Sequence, residues 1–281
     1  MGAAAHARRP AGAPSPAPAR GLAALSLAAL LAWTPAPPAH AGATCREEPL
    51  RATEVVQSME LARKTVAALD ASGAEVALLA RSGQDLGRYG LRWSHMGIAV
   101  RDHPAGRWTV VHELNACGTA SSDLYDEGVG NFFLTDLHRY DAAILVPGAQ
   151  LQAGLKRVLA TRTPRRLHEP RYNMLSYAFS TRYQNSNQWL LEVLAAGMAP
   201  PGQVETRAEA QAWLKQQPYR PGTVEVPAAV RLGARMTRAN VAFDDHPFER
   251  RMAGHIDTVT ADALLRFVQE RDPEARRVAV E

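Results

Sequence analysis

The sequence predicts an α+β fold in which helices pack against a small, mostly antiparallel sheet. Short apolar segments typical of strands follow one another between residues 75 and 147, separated by turns and loops. Amphipathic helical segments stand before and after them, without the regular strand–helix alternation of a parallel sheet. We expect one domain over residues 42–281, about 240 residues long. Its core covers about 53–200, and a helical part covers about 201–281.

The N-terminal segment predicts a signal peptide over residues 1–41. Arg8, Arg9 and Arg20 are its charged residues, and the apolar run GLAALSLAALLAW follows them. A small-x-small motif ends at Ala41, where we expect cleavage. The alternative is a retained anchor, although the apolar run is short for a membrane span. Cleavage predicts a periplasmic or secreted protein with no stable membrane span.

Charge argues against nucleic acid as a partner. Removing the three signal-segment arginines takes the formal charge from +4 to +1. The remaining positive charge shows no basic stripe of the kind that follows a phosphate backbone. The oligomeric state is not indicated by the sequence.

The first structural segment is the helix TEVVQSMELARKTVAALDAS, which Gly73 ends. Its apolar residues recur at helical spacing: Val55, Met59, Ala62, Val66 and Leu69. Next come the strand EVALLAR and a hairpin of LRWSHMGIAVRD with GRWTVVHELN. The segment ACGTASSDLYDEG is rich in small and acidic residues, so we expect a loop there.

The second half of the chain is mainly helical. NFFL predicts a buried helical turn, YDAAILVP a strand and AQLQAGLKRVLAT an amphipathic helix. The aromatic stretch RRLHEPRYNMLSYAFSTRY is irregular and leads to a helix that begins near Asn185. Thr206 and Glu209 form a capping box at the next helix. VAFDDHPFER is a polar loop, and TADALLRFVQE is the last predicted helix.

The two cysteines, Cys45 and Cys117, predict a disulfide if the protein is exported. The alternative is that Cys117 is a reactive thiol. Asp244, Asp245 and His246 are adjacent in a loop, so they do not predict a metal site, and no cofactor motif is present.

The candidate site combines a histidine on a strand with a hydroxyl at a helix end. His95 shares a strand face with Gly97, which leaves room for another group. The adjoining strand offers a partner that could orient His95; the candidates are His112, Glu113 and Asn115. Alternation places His112 on the opposite face from Glu113 and Asn115, and the sequence does not say which face meets His95.

Ser186 lies at the start of the helix, on the same helical face as Trp189 and Leu190. It is either a helix cap or a nucleophile that uses the positive end of the helix dipole. With His95 as base and a third polar residue, Ser186 would complete an acyl-transfer site. The neighbouring side chains are expected to bind substrate: Tyr183, Gln184, Asn185 and Asn187.

Five stretches carry a family resemblance: SHMGIAVRD, VVHELNACGT, LYDEGVGNFF, HEPRYNMLSYAFSTRYQNSNQW and NVAFDDHP. Through them the chain closely resembles the bacterial family of domain of unknown function 2145, over essentially all of residues 42–281. The first and fourth stretches more distantly resemble the permuted papain-like hydrolases of the NlpC type and the lecithin:retinol-acyltransferase-like proteins.

The distant resemblance implies a papain-like fold with His95 as the catalytic histidine. A polar residue within 112–115 would be the third catalytic member. Ser186 falls where those hydrolases carry a nucleophilic cysteine. A serine hydroxyl has a much higher pKa than a thiol and needs a general base during attack. We therefore expect either a peptidase- or amidase-like hydrolase or an inactive cell-envelope binding or assembly protein. The partner would be a cell-envelope peptide, muropeptide or lipid-linked group.

Overall fold

The computed structural model describes residues 49–281, in which a run of strands is followed by a mainly helical part. The strands are β1 (Val76–Ser82), β2 (His95–His103), β3 (Gly106–Asn115), β4 (Ser122–Gly128), β5 (Arg139–Val146), β6 (Gly222–Glu225), β7 (His255–Thr258) and β8 (Arg276–Val280). The helices are α1 (Ala52–Ser72), α2 (Val129–Phe133), α3 (Ala149–Leu159), α4 (Thr163–Arg166), α5 (Ser186–Met198), α6 (Arg207–Lys215), α7 (Ala228–Thr237), α8 (Phe248–Met252) and α9 (Ala261–Arg271).

Six strands form one sheet in the order β4-β3-β2-β1-β5-β8. Every neighbouring pair is antiparallel, and the predicted β2–β3 hairpin is present with Gly106 in its turn at φ 134°. β6 and β7 form a separate antiparallel pair. The α+β class and the mostly antiparallel sheet are confirmed; the papain-like fold stays a prediction.

The long N-terminal helix is confirmed, but the side that it buries differs from expectation. α1 ends at Gly73, whose φ of 71° suits glycine. Its buried apolar residues include Leu61, Ala62 and Leu69, whereas Val55 and Met59 are exposed. The apolar residues of α1 occupy more than one side of the helix, so their spacing alone did not identify the face against the sheet.

The structure corrects the prediction of a loop over residues 116–128. Residues 122–128 form β4, an edge strand that pairs with β3 over its whole length. Most of its side chains are exposed and several are acidic, so the sequence lacks the alternation of apolar and polar residues that predicts a strand. Charged side chains are common on edge strands. The region after residue 201 also contains β6, β7 and β8, which are too short for a clear alternation of apolar residues.

Helices cover both faces of the six-stranded sheet. α1 and α2 pack against the face that presents Ala77, Leu79, Ala99 and Val110. α3, α5 and α9 pack against the other face, which presents Leu78, Met96, Ile98 and Val111. The core therefore has two layers, with α5 enclosed between the sheet and other helices.

α5 is buried along almost its whole length and crosses α3 closely. A Cβ atom on Gly154 of α3 would lie 2.1 Å from the carbonyl oxygen of Gly197 in α5. The two backbones can approach this closely because Gly154 has no side chain. This contact holds the C-terminal part of α5 against α3.

The predicted signal segment, its cleavage after Ala41 and Cys45 all lie outside the described residues. Export and the pairing of Cys45 with Cys117 therefore stay predictions. Within residues 49–281, no helix is long and apolar enough to cross a bilayer.

Candidate functional site

A cleft of about 1290 Å³ opens at the end of the sheet where β2 begins and β3 ends. Several of the predicted site residues line it: His95, Asn115, Asn185, Ser186 and Asn187. Part of the cleft wall comes from β6, α7 and the residues between them, which contribute Val224, Val226, Val230 and Ala234. The cleft is thus polar near β2 and α5 and apolar near α7.

His95 and His112 form a hydrogen-bonded pair across β2 and β3. His95 Nε2 lies 2.9 Å from His112 Nδ1, and His112 Nε2 lies 3.2 Å from Glu127 Oε2 on β4. The register pairs Ile98 with Val111, so alternation turns His112 towards His95 and Glu113 to the other face. Of the three candidate partners, His112 is the one that contacts His95.

Gly97 allows this close contact between the strands. A Cβ atom at Gly97 would lie 2.4 Å from Val110 Cγ1 and 3.2 Å from His112 Cβ. The space that the sequence suggested beside His95 is thus occupied by side chains of β3. Gly97 therefore serves the packing of the histidine pair.

The surroundings keep His95 neutral at pH 7. Burial lowers its pKa well below 6.5, and the nearby Arg81 and His112 act in the same direction. Burial also lowers the pKa of His112, while the hydrogen bond to Glu127 opposes that change. The Arg81 guanidinium donates to the Phe132 carbonyl, and the Phe132 ring packs against both histidines.

The hydrogen-bond chain determines where the protons lie. The pKa of Glu127 is lowered, chiefly by its hydrogen bond with His112, so Glu127 is an ionised acceptor at pH 7. His112 then carries its proton on Nε2 and accepts at Nδ1, and His95 must carry its proton on Nε2. The remaining nitrogen of His95, Nδ1, is left with a lone pair and can act as a base.

The helix cap is Asn185. Its Oδ1 accepts from the backbone N–H of Gln188 at 2.8 Å, and its Nδ2 donates to Thr258 Oγ1 at 3.0 Å. Ser186 is the first residue of α5, and its side chain lies near the hydroxyl of Tyr172, whose pKa is raised by burial and lowered slightly by Ser186. The capping explanation for Ser186 is therefore unnecessary, because the preceding residue already satisfies this end of the helix.

Ser186 and His95 line the same cleft but approach it from different layers. His95 lies on the face of the sheet that α2 covers, and Ser186 belongs to α5 on the other side. Within residues 49–281, no hydrogen bond joins the two side chains. Asn187 connects the two regions, because its Nδ2 donates to the Ser94 carbonyl at 3.4 Å, one residue before His95.

Glu113 is fully buried on the α5 side of the sheet. Burial raises its pKa to about 8, against the smaller effects of Ser122 and Arg207. The side chain is therefore protonated at pH 7. It also raises the pKa of Tyr172, so the two groups lie near each other behind Ser186.

The other predicted site residues divide into two groups. Asn115 and Asn187 reach the cleft, whereas Tyr183 and Gln184 are not in its lining. Gln184 is fully buried, and its Nε2 donates to Leu167 O at 2.9 Å and to Glu192 Oε2 at 2.7 Å. These bonds hold the Gln184 amide inside the protein, so its Nε2 does not reach a ligand in the cleft in this conformation.

Two residues of the site were not predicted from the sequence. Glu127 was assigned to a loop, and Arg81 was treated as part of an ordinary strand. Recognising β4 would have indicated Glu127, because alternation along a strand beside His112 brings every second side chain to the same face. Within the described part of the chain, no group of three or more His, Cys, Asp and Glu side chains is arranged to hold a metal ion.

Comparisons with known proteins identify a family. A family model described as uncharacterized protein conserved in bacteria (DUF2145) matches residues 68–268, well over half of the chain. Neither the curated proteins nor the solved structures gave a match. The chain therefore belongs to the bacterial family of domain of unknown function 2145.

Proposed function

We propose that this protein is an exported serine hydrolase that cleaves or transfers an acyl group from an amide or ester. His95 is the base, His112 orients it and Ser186 is the nucleophile, on a papain-like fold. The observation that carries the proposal is the His95–His112–Glu127 hydrogen-bond chain, which leaves Nδ1 of a neutral His95 as an acceptor beside the cleft. The proposed substrate is a cell-envelope peptide, muropeptide or lipid-linked group.

The proposed chemistry needs Ser186 and His95, which reach the cleft from opposite faces of the sheet, to come within hydrogen-bond distance when substrate binds. The Ser186 hydroxyl then donates to His95 Nδ1, which takes its proton as the oxygen attacks the carbonyl carbon. The negative charge that develops on the carbonyl oxygen lies near the positive end of α5. His95 then gives the proton to the leaving amine or alcohol, and water releases the acyl group from Ser186 by the reverse proton transfers.

A fluorophosphonate probe tests this proposal on the purified protein, with the labelled peptide identified by mass spectrometry. We expect label on Ser186 and its loss in both Ser186→Ala and His95→Ala. Ser121→Ala and His138→Ala change exposed residues elsewhere and should label normally. Label that persists in Ser186→Ala contradicts the assignment of the nucleophile.

The second candidate is a non-catalytic binding or assembly protein on the same fold. It is favoured by the positions of Ser186 and His95 on opposite faces of the sheet and by the absence of a hydrogen bond between them within residues 49–281. The variant Ser186→Cys separates the two candidates. If alkylation of the introduced thiol depends on His95, the pair is arranged for catalysis; if neither Ser186 nor the introduced thiol reacts, binding is the better description.

A thiol enzyme centred on Cys117 is the remaining alternative from the sequence. Titration of thiols in the unreduced, unfolded protein decides it, because a Cys45–Cys117 disulfide leaves none to react. Mass measurement of the protein from the envelope fraction tests export, and we expect a chain that starts at Gly42.

A further inference from the structure

Helices α7 and α8 expose an unusual number of large apolar side chains. Half of the large hydrophobic residues that are exposed within the described chain lie on these two short helices. Their exposed fractions run from 53% to 79%: Val230 53%, Leu232 65%, Met236 79%, Phe248 67% and Met252 59%. Single exposed apolar residues are ordinary, whereas a cluster on adjoining helices indicates an interaction surface.

The two helices lie at the same end of the β6–β7 pair. Glu225 at the end of β6 pairs with His255 at the start of β7. α7 begins just after β6, and α8 ends just before β7. The backbone N–H of Val226 donates to the Gly254 carbonyl at 2.9 Å, which holds these connections together. The start of α7 is thus adjacent to the end of α8.

The apolar residues of α7 point in two directions. Ala234 packs against the small core formed by Val224, Val226, Phe243 and Ile256. At 100° per residue, Leu232 and Met236 lie on the opposite side of the helix from Ala234 and face away from the protein. On α8, Phe248 and Met252 are four residues apart and share one face. We call the exposed set Leu232, Met236, Phe248 and Met252 the apolar patch.

The charge beside the apolar patch is positive. Residues 227–240 contain Arg231, Arg235 and Arg238 but no aspartate or glutamate, and α8 adds Glu249, Arg250 and Arg251. Within residues 49–281, neither Arg231 nor Arg235 forms a salt bridge; Arg231 donates to the Val226 carbonyl at 2.6 Å. A short helix with apolar residues on one side and arginines beside them is typical of a helix that lies on an anionic lipid surface.

We propose that the apolar patch docks this protein on a bilayer containing anionic phospholipids. The four side chains enter the interface between headgroups and acyl chains, while Arg231 and Arg235 lie at the level of the phosphates. A second copy of the chain fits this patch less well. A two-fold contact would bring the arginines of α7 and α8 together, with Glu249 as the one acidic residue in these two helices to compensate.

Docking there would also bring the cleft to the membrane. Val230 and Ala234 of α7 line the cleft that contains Ser186, so α7 forms both the lipid-facing surface and one cleft wall. The membrane proposal rests on the patch and its charge, and it stands whether or not Ser186 is catalytic.

Vesicle sedimentation tests the proposal on purified protein. We expect binding to phosphatidylcholine vesicles that contain phosphatidylglycerol and much weaker binding to phosphatidylcholine alone. The double variant Leu232→Ser/Met236→Ser should weaken binding by about tenfold or more. The matched control Val56→Ser/Met59→Ser changes an exposed apolar pair on α1 and should bind like the unchanged protein.

Charge variants and the state of association complete the test. Arg235→Gln should weaken binding to the anionic vesicles, whereas Arg157→Gln, which changes an exposed arginine on α3, should not. Sedimentation velocity without lipid should show the same oligomeric state for the unchanged protein and the serine variants. Equal vesicle binding by all variants, no binding at all, or a dimer that the serine variants break would each overturn the proposal.

Discussion

His95 and Glu113 show how burial controls charge at single residues of this site. Glu113 is fully buried and His95 is half-buried near the β2–β3 pair, and removal from water favours the neutral form of each. The pKa of His95 falls and that of Glu113 rises to about 8. At pH 7 His95 is therefore a neutral imidazole, and Glu113 is a protonated carboxyl.

Glu113 makes stability depend on pH in a defined direction. Its folded pKa lies above the unfolded value of 4.5, so its contribution is complete below pH 4.5 and is lost as pH rises towards 8. The loss is at most about 1.4 kcal/mol per pH unit. Glu113→Gln should remove it, so that the variant unfolds at higher urea concentration than the parent at pH 9. A difference that is the same at pH 5 and pH 9 would contradict this assignment.

His112 is expected to hold His95 in the tautomer that leaves Nδ1 as a base. His112→Leu removes the acceptor for His95 Nε2–H and should lower the rate of fluorophosphonate labelling by about 100-fold. His112→Gln restores an acceptor oxygen and should retain most of the labelling. Circular dichroism checks that both variants fold, and equal rates in the two would exclude an orienting role.

The sequence identified most of the residues around the site but not their orientation. His95 and the possible partners on β3 followed from strand patterns. The choice of His112 depends on how β2 and β3 are aligned, and the sequence pattern does not give that alignment. Asn185 and Ser186 were both possible caps, because each can accept from the first turn of a helix. Three-dimensional packing decided between them.

At the scale of elements, α5 and α6 are joined by a buried ion pair. Arg207 Nε donates to Glu192 Oε2 at 2.8 Å, and Gln211 and Gln184 donate to the same carboxylate. The guanidinium also donates to the Thr181 and Tyr183 carbonyls, each at 2.9 Å. The ion pair therefore holds the segment that leads into the N-terminus of α5.

Removing one partner of this ion pair should be costly. Arg207→Ala leaves the Glu192 carboxylate buried without its counter-charge, and we expect a loss of about 3–5 kcal/mol in the free energy of unfolding. Arg166→Ala is the matched control, because its partner Glu205 and Arg166 itself are about half exposed. That change should cost less than about 1 kcal/mol. Urea denaturation measures both, and similar losses would contradict the prediction.

Two helical glycines should respond in opposite ways to alanine. Gly154→Ala places a methyl group against the Gly197 carbonyl, so α3 and α5 must separate at a cost of about 1–3 kcal/mol. Gly233 of α7 has open space around it, so Gly233→Ala should stabilise by roughly 0.5–1 kcal/mol. Thermal unfolding of both variants makes the comparison, and a stabilising Gly154→Ala would show that the helices can separate freely.

Elements with strong periodicity were predicted well, and short polar ones were not. The helix ending at Gly73 and the capping box of Thr206 and Glu209 have local signals that the structure confirms. β4 was missed because most of its side chains are polar, and β6 to β8 were missed because each has only four or five residues. Hydrogen bonds to distant strands stabilise such segments, although their own residues show no clear strand pattern.

At the scale of the whole molecule, the predicted disulfide would join Cys45, near the expected start of the chain after signal cleavage, to the loop after β3. We expect that unreduced protein shows no reactive thiol. Cys117→Ala should lower the free energy of unfolding by about 4 kcal/mol on the chain-entropy model, because the closed loop spans about 70 residues. Urea denaturation of the parent with and without reductant provides the comparison, and identical curves would count against a disulfide.

The sequence predicted the fold class but not the arrangement of the sheet. Local patterns identify helices and strands, and their order along the chain favours α+β. The order β4-β3-β2-β1-β5-β8 depends on which strand edges meet, and β8 comes from far along the chain to pair with β5. No local feature of residues 276–280 identifies that partner.

The pairing of β8 with β5 also bears on how quickly the protein folds. β1, β2 and β3 can pair soon after collapse, because they are neighbours along the chain. β5 then has one unpaired edge until β8 binds to it. This step is slow because a long chain segment separates the two strands. An intermediate with an unpaired β5 edge is prone to pair with another chain. Refolding yield should therefore fall as protein concentration rises, even where the native state is stable.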